Sequence, residues 1–246
     1  MSILQPILIV PDVHAPYHDK RAWQLLLTVG RVLKPHTIIT MGDFCDFYAV
    51  SRHSKDPSRR ERLFGEIEVT NTLLDDLDGL KAKEKTFLGG NHEDRLRRYL
   101  EEKAPELFEY IDIPSILRLR EREWSYVPYK DDTRIGKVWF THDVGNAGRY
   151  AAFKALDTYQ HSIVTGHSHR LSYVVEGNAT GERMVSAQFG WLGDITKVDY
   201  MYKVAARKYC ALGFGIGYLA PTGIVYLTPV PIVNYTACVN GTLYRA

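Results

Sequence analysis

ILIVPDVH (residues 7–14) is a β-branched apolar run that stops at a proline and then sets an aspartate and a histidine two residues apart. TIITMGDFCDF (37–47) repeats that grammar, ending in Gly42, Asp43 and, three residues on, Asp46. TFLGGNHE (86–93), VWFTHD (138–143) and IVTGHSH (163–169) do the same. Each places polar, chemistry-bearing side chains where a strand-like run ends. Helical spacings lie between them. Ala22, Leu25, Leu26, Val29 and Leu33 step by three and four within 19–33, with Asp19 in an N-cap position and Pro35 as a stop. Leu63, Ile67, Thr70, Leu74 and Leu77 form a second helix face, EDRLRRYLEEK (93–103) a third helix, and the region near 147–157 a fourth. Strands alternating with helices predict an α/β fold, in which loops at the carboxyl ends of parallel strands gather on one sheet edge. The glycines before Asp43, Asn91 and His167 fit tight turns that free the next side chain.

No repeat, low-complexity segment or linker interrupts the 246 residues, so one domain over 1–246 is expected. Lysine and arginine nearly balance the acidic residues, for a formal net charge of +2, which does not itself announce a nucleic-acid partner. Cys45, Cys210 and Cys238 form no C-x-x-C pair and read as free thiols in a reducing compartment. The N-terminus has neither a basic region nor an A-x-A cleavage pattern, so a cytoplasmic protein is expected and the sequons at Asn178, Asn234 and Asn240 carry no meaning. Residues 209–244 hold no charged side chain, yet glycines and prolines break them up. No membrane span is expected there; two or three strands with turns are, in a second-layer sheet or at an oligomer interface. The segment 112–133 is irregular, its RLRERE (118–123) reads as a solvated face, and it is the one candidate lid.

Five of the nine histidines (14, 92, 142, 167 and 169) fall in the strand-end motifs, beside Asp12, Asp43 and Asn91. Carboxylate, imidazole and one amide oxygen, with no thiolate, suit manganese, iron or zinc. Asp12, His14, Asp43, Asn91, His142, His167 and His169 are too many ligands for one tetrahedral ion and enough for two, given a bridging carboxylate. Paired ions are the usual device for attack at phosphorus.

D-x-H, G-D-x-x-D, G-N-H-E, a strand-end H and G-H-x-H, in that order over residues 12–169, resemble the calcineurin-like metallophosphoesterase superfamily. The resemblance implies a four-layer α/β/β/α sandwich with mixed sheets and two divalent metal ions, manganese first. It implies that Asp12, His14 and His169 bind one ion, that Asn91, His142 and His167 bind the other, and that Asp43 bridges them. A bridging hydroxide would attack in line, His92 would protonate the leaving oxygen, and Asp46 would orient His92. Phosphate-clamping arginines of the serine/threonine protein phosphatases are replaced by Phe47 and Gly89, which argues against that activity. The basic loop 51–62 and the start of the 93–103 helix supply Arg52 and Arg95 as candidate substrate-binding residues. Phosphate esters of nucleotides or nucleic acid are the expected substrates. The alternatives are a nuclease of the repair type, action on capped or sugar nucleotides, and a non-catalytic metal-binding interaction module. Cys45 reads as a small filler, Trp191 as a core tryptophan at a turn in preference to one wall of the cleft, and Asp143 as either a partner of the site or a different turn. The oligomeric state is left open.

Overall fold

Among the described residues, thirteen strands and five α-helices follow one another in the order β1 (Gln5–Val10), α1 (Lys20–Leu33), β2 (Thr37–Thr40), α2 (Leu63–Asp78), β3 (Glu84–Leu88), α3 (Glu93–Lys103), α4 (Ile113–Ile116), β4 (Ser125–Val127), β5 (Asp132–Ile135), β6 (Val138–Thr141), α5 (Ala151–Tyr159), β7 (Ile163–Thr165), β8 (Leu171–Gly177), β9 (Arg183–Phe189), β10 (Gly213–Leu219), β11 (Val225–Pro231), β12 (Thr236–Val239) and β13 (Thr242–Arg245). The computed structural model describes residues 3–56, 59, 62–177, 179–198, 201 and 207–246. Positions 57, 58, 60 and 61 of the basic loop, and the Asn178 sequon, lie outside the described residues.

Two mixed sheets result. The first runs β11-β10-β1-β2-β3-β4 and the second β5-β6-β7-β9-β8, with β12 and β13 as a separate hairpin. Within the first, β1 to β4 are parallel, while β10 pairs antiparallel with β1 and β11 with β10. Within the second, β6, β7 and β9 are parallel, with β5 and β8 antiparallel at the edges.

The pleat of β1 shows why the first sheet is covered on both faces. Ile7 and Ile9 pack with Phe140, Val164 and Phe189 in the core between the sheets. Leu8 and Val10 point the other way, into a core with Trp23, Leu26 and Leu74 under α1 and α2. All four β1 side chains are fully buried, and each contributes about 1.5–3 kcal/mol by leaving water. On the far side, α5 packs on β7, β8 and β9 through buried Ala152, Ala155 and Leu156. The layers are therefore helix, sheet, sheet, helix. Among the described residues no helix is long and apolar enough to cross a membrane.

The uncharged stretch 209–244 forms four strands rather than two or three. Two of them, β10 and β11, extend the first sheet instead of building a second layer. The reason is the β1–β10 pairing, Gln5 opposite Leu219 to Ile9 opposite Gly215, which spans most of the chain. The RLRERE stretch is only partly solvated. Leu117, Leu119 and Trp124 are buried, and Arg122 turns inward to pair with Asp75 and Asp78 of α2. These contacts fix the segment against the helical layer.

Candidate metal centre

The loops after β1, β2, β3, β6 and β7 meet at one edge where the two sheets face each other. Backbone hydrogen bonds join them. The Val13 and His14 N–H groups donate to the Asp43 carbonyl at 3.0 and 2.9 Å, and the Gly166 N–H donates to the His142 carbonyl at 2.9 Å. Gly42 has φ +89°, and a Cβ there would meet the His142 imidazole and Gly90. Gly90 needs no left-handed backbone; a Cβ there would run into the Asp43 main chain and carboxylate. The glycine before Asn91 thus serves close approach rather than the expected turn.

Four functional side chains sit on strained backbone. His14, Asp43, His167 and His169 have φ of 55°, 47°, 62° and 56°, which for non-glycine residues costs about 1–3 kcal/mol each. That cost is held in place by the surrounding hydrogen bonds, and it aims all four side chains into one space.

The site has two lobes. In the first, His14 Nε2 lies 3.1 Å from His169 Nε2, and His169 Nε2 lies 3.3 Å from Asp12 Oδ2. In the second, His142 Nε2 lies 3.0 Å from Asn91 Oδ1 and 3.4 Å from Asp43 Oδ2, with His167 completing the group. Ligand atoms of Asp12, His14 and His169, and likewise those of Asp43, His142 and His167, lie within 4.8 Å of one another. Donors about 2.1 Å from an ion and at right angles to each other are about 3.0 Å apart. The facing nitrogens and oxygens have that spacing, so the donor set fits two divalent cations. All seven predicted ligands are brought to these two lobes.

Electrostatics match. Burial alone would raise the carboxyls of Asp12 and Asp43, yet the neighbouring imidazoles hold Asp12 below and Asp43 well below the usual carboxylate range. Burial and the charges of His92 and His169 push His14 down to about 4. His14 is therefore neutral, with its Nδ1 3.1 Å from Asp46 Oδ2 and its Nε2 lone pair turned inward. His142 and His169 go the other way: against burial, Asp43 raises His142 to about 10 and Asp12 raises His169 to about 9. Burial and the His142 charge lower His167.

Beyond the ligands, Asp46 bridges two imidazoles. It accepts from His14, and its carbonyl oxygen lies 3.0 Å from His92 Nδ1, with Oδ2 at 3.4 Å. The link to His14 separates residues 32 apart in sequence and had no local signal. Nη1 of Arg95 donates to the Asp46 carbonyl at 2.9 Å and carboxylate at 3.2 Å, and its Nη2 lies 2.8 Å from His92 Nε2. Arg52 pairs with Glu102 of α3 and lines a neighbouring cavity with His53, Arg95 and Arg98.

Three further residues border the site. Glu93 is buried and accepts from the N–H groups of Gly90 at 2.7 Å, Asp43 at 2.9 Å and Cys45 at 2.8 Å, tying the β2 and β3 loops together. Burial and the Asp43 charge raise its carboxyl to about 7. Its only signal was the last letter of G-N-H-E. Trp191, the expected core tryptophan, is buried and stacks on His169, ring centres 4.6 Å apart at 16°. Cys210 Sγ lies 3.9 Å from His169 Nδ1. Cys45 is a buried filler whose thiol is pushed well up by burial. Phe47 is fully buried and belongs to the helical-side core. Asp143 caps its own turn, accepting from the Gly145 N–H at 2.7 Å.

The chain is similar to known proteins in sequence and in fold. The gene 54 protein of Mycobacterium phage D29 is 26% identical over 179 residues, covering 67% of this chain and 69% of its own. Its counterpart in Mycobacterium phage L5 is 24% identical over the same share. Among solved structures, a Vps29 single mutant from Entamoeba histolytica aligns at 13% identity and TM-score 0.49, covering 98% of this chain and 96% of that one. The E. coli phosphoesterase Yfce aligns at 10% identity and TM-score 0.40, covering 96% and 92%. The family model for calcineurin-like phosphoesterases matches residues 5–179, the stretch that carries all seven candidate ligands, and the chain belongs to that family.

Proposed function

We propose that the protein is a two-metal phosphoric ester hydrolase. The observation that carries this reading is the convergence of buried Asp12, His14 and His169, and of Asp43, His142 and His167, with Asn91 at the second lobe. Asp12, His14 and His169 would hold one divalent ion; Asn91, His142 and His167 the other; Asp43, whose carboxylate faces the second lobe, would serve both. Manganese fits the oxygen and imidazole donors, as do iron and zinc. When bound, such ions supply Lewis acidity at the phosphoryl group and an activated water.

The chain's own residues do the rest. Asp46 fixes His14 with its proton on Nδ1, which leaves Nε2 as a ligand. The Asp46 carbonyl, with its carboxylate behind, would position His92 as the acid for the leaving oxygen. Arg95 now donates to His92 Nε2, so that nitrogen is the accepting one. For His92 to act as that acid, Arg95 would turn away from Nε2, and the proton that Nε2 delivers to the leaving oxygen would come from the attacking water.

Hydrolysis of p-nitrophenyl phosphate, bis-p-nitrophenyl phosphate and a labelled oligonucleotide tests the reading, with manganese added and with Asp43→Asn as control. Manganese-dependent turnover lost in Asp43→Asn is expected, and the ranking of the three assigns monoesterase, diesterase or nuclease action. No turnover on any of them with two ions bound overturns the hydrolase reading in favour of the non-catalytic one.

A further inference from the structure

Arg170 directly follows the histidine of the first lobe. Its side chain lines a cavity of about 340 Å³ together with Asp43, Asn91, His92, His167 and His169. The backbone there is pinned on both sides. The Arg170 N–H donates to Ser168 Oγ at 3.3 Å, and its carbonyl accepts from the Gly190 N–H at 2.7 Å. The guanidinium lies over the Tyr209 ring, 4.1 Å from its centre, a platform that orients the planar group without using its N–H donors.

Among the described residues no carboxylate pairs with this guanidinium, and its Nε is buried with no hydrogen-bond partner. The other arginines near the centre differ. Arg95 is engaged with Asp46 and His92, Arg98 with Asp94, and Arg52 with Glu102. A fixed cation whose donors are unmatched, beside two lobes that would hold divalent cations, lacks one thing: an anion shared between them.

We propose that Arg170 is the substrate-binding residue that takes the non-bridging oxygens of the phosphoryl group at this centre. It rests on the proposed hydrolase reading for its setting, but phosphate binding tests it without turnover. The planar fork presents two parallel N–H groups to two phosphoryl oxygens, which a lysine cannot reproduce.

The test is calorimetric titration of inorganic phosphate into the manganese-loaded protein, comparing wild type, Arg170→Gln and Arg170→Lys. Manganese content and thermal unfolding are measured alongside, with KM and kcat on whichever aryl phosphate is hydrolysed. Charge-assisted hydrogen bonds of this kind translate to an expected loss of about 10- to 100-fold in phosphate affinity for Arg170→Gln. KM should rise in parallel, Arg170→Lys should recover part of the loss, and manganese content should not change. Phosphate affinity within twofold of wild type in Arg170→Gln overturns the proposal. So does loss of bound manganese or a lowered melting temperature with phosphate affinity kept, because that would make Arg170 a structural prop. If the wild type hydrolyses nothing yet its phosphate affinity falls with Arg170, the hydrolase reading fails and this one stands. If the chain takes up no manganese, the same titration is read on the metal-free protein.

Discussion

Gly90→Ala isolates what close approach contributes at this centre. Gly90 does not lie in the left-handed region, so alanine brings no conformational penalty of its own; the difficulty is space. The added methyl would overlap the Asp43 nitrogen and Oδ1 and sit 3.0 Å from its Cγ. Those atoms are not free to give. Asp43 N–H is held by Glu93 Oε2 at 2.9 Å, and Oδ1 accepts from the His92 N–H at 2.8 Å. Overpacking of this kind costs about 1–3 kcal/mol, and losing a hydrogen bond to a charged carboxylate costs about 1.5–3 kcal/mol more. The sum, about 2.5–6 kcal/mol, lowers the melting temperature of a chain this size by about 5–24 °C. Moving the Asp43 carboxylate by an ångström should also cut metal-dependent turnover by about 100-fold. Gly65→Ala is the matched control: it lies exposed in α2 with nothing within 4 Å of a Cβ, and should stabilise by about 0.5–1 kcal/mol. Thermal unfolding of the metal-free proteins and manganese titration read both. A Gly90→Ala protein that melts and binds manganese like wild type would falsify the argument that Gly90 is required for Asp43 to reach the site.

Two further expectations concern protons. Asp46→Asn removes the carboxylate that both His14 and His92 face, so manganese affinity should fall about 10- to 100-fold. Because the Asp46 carboxyl is held below its usual range, its stabilisation is present above about pH 4 and lost below it; the variant should therefore lose part of the acid-unfolding limb. Unchanged affinity in chelator competition would refute the positioning role. Second, His142 and His169 are raised to about 10 and about 9, so the metal-free protein at pH 7.5 carries a proton in each lobe. Their stabilisation is complete below pH 6.5 and lost as pH climbs through 9 and 10. Loading two ions should release about two protons per chain at pH 7.5, measurable as buffer-dependent binding heat; zero release would show that the lobes are not protonated as described.

The elements that carry the site were legible because their signals are local. β6 and β7 match their β-branched runs, α3 covers 93–103 as its pattern indicated, and α1 starts where Asp19 caps it, accepting from the N–H groups of Arg21 and Ala22. Motif residues at strand ends were legible for the same reason. The helix near 147–157 begins later, at Ala151, where no side-chain cap marks its start. Arg122 turns inward because α2 presents Asp75 and Asp78 to it, a meeting that no stretch of RLRERE announces.

The C-terminal third illustrates the limit most clearly. Its strand pattern is readable, but which sheet it joins depends on the β1–β10 pairing. That choice reaches the metal centre. With β10 beside β1, Leu212 and Trp191 align in register with Asp12 through isolated bridges, and the Leu192 N–H donates to the Asp12 carbonyl at 2.7 Å. Trp191 is thereby set flat against His169, and Ala211 N–H donates to the His169 carbonyl at 3.0 Å. The motifs supply the donors, and the long-range pairing immobilises them. A centre on strained loops needs both, because a backbone held at positive φ returns to ordinary conformations unless packing opposes it.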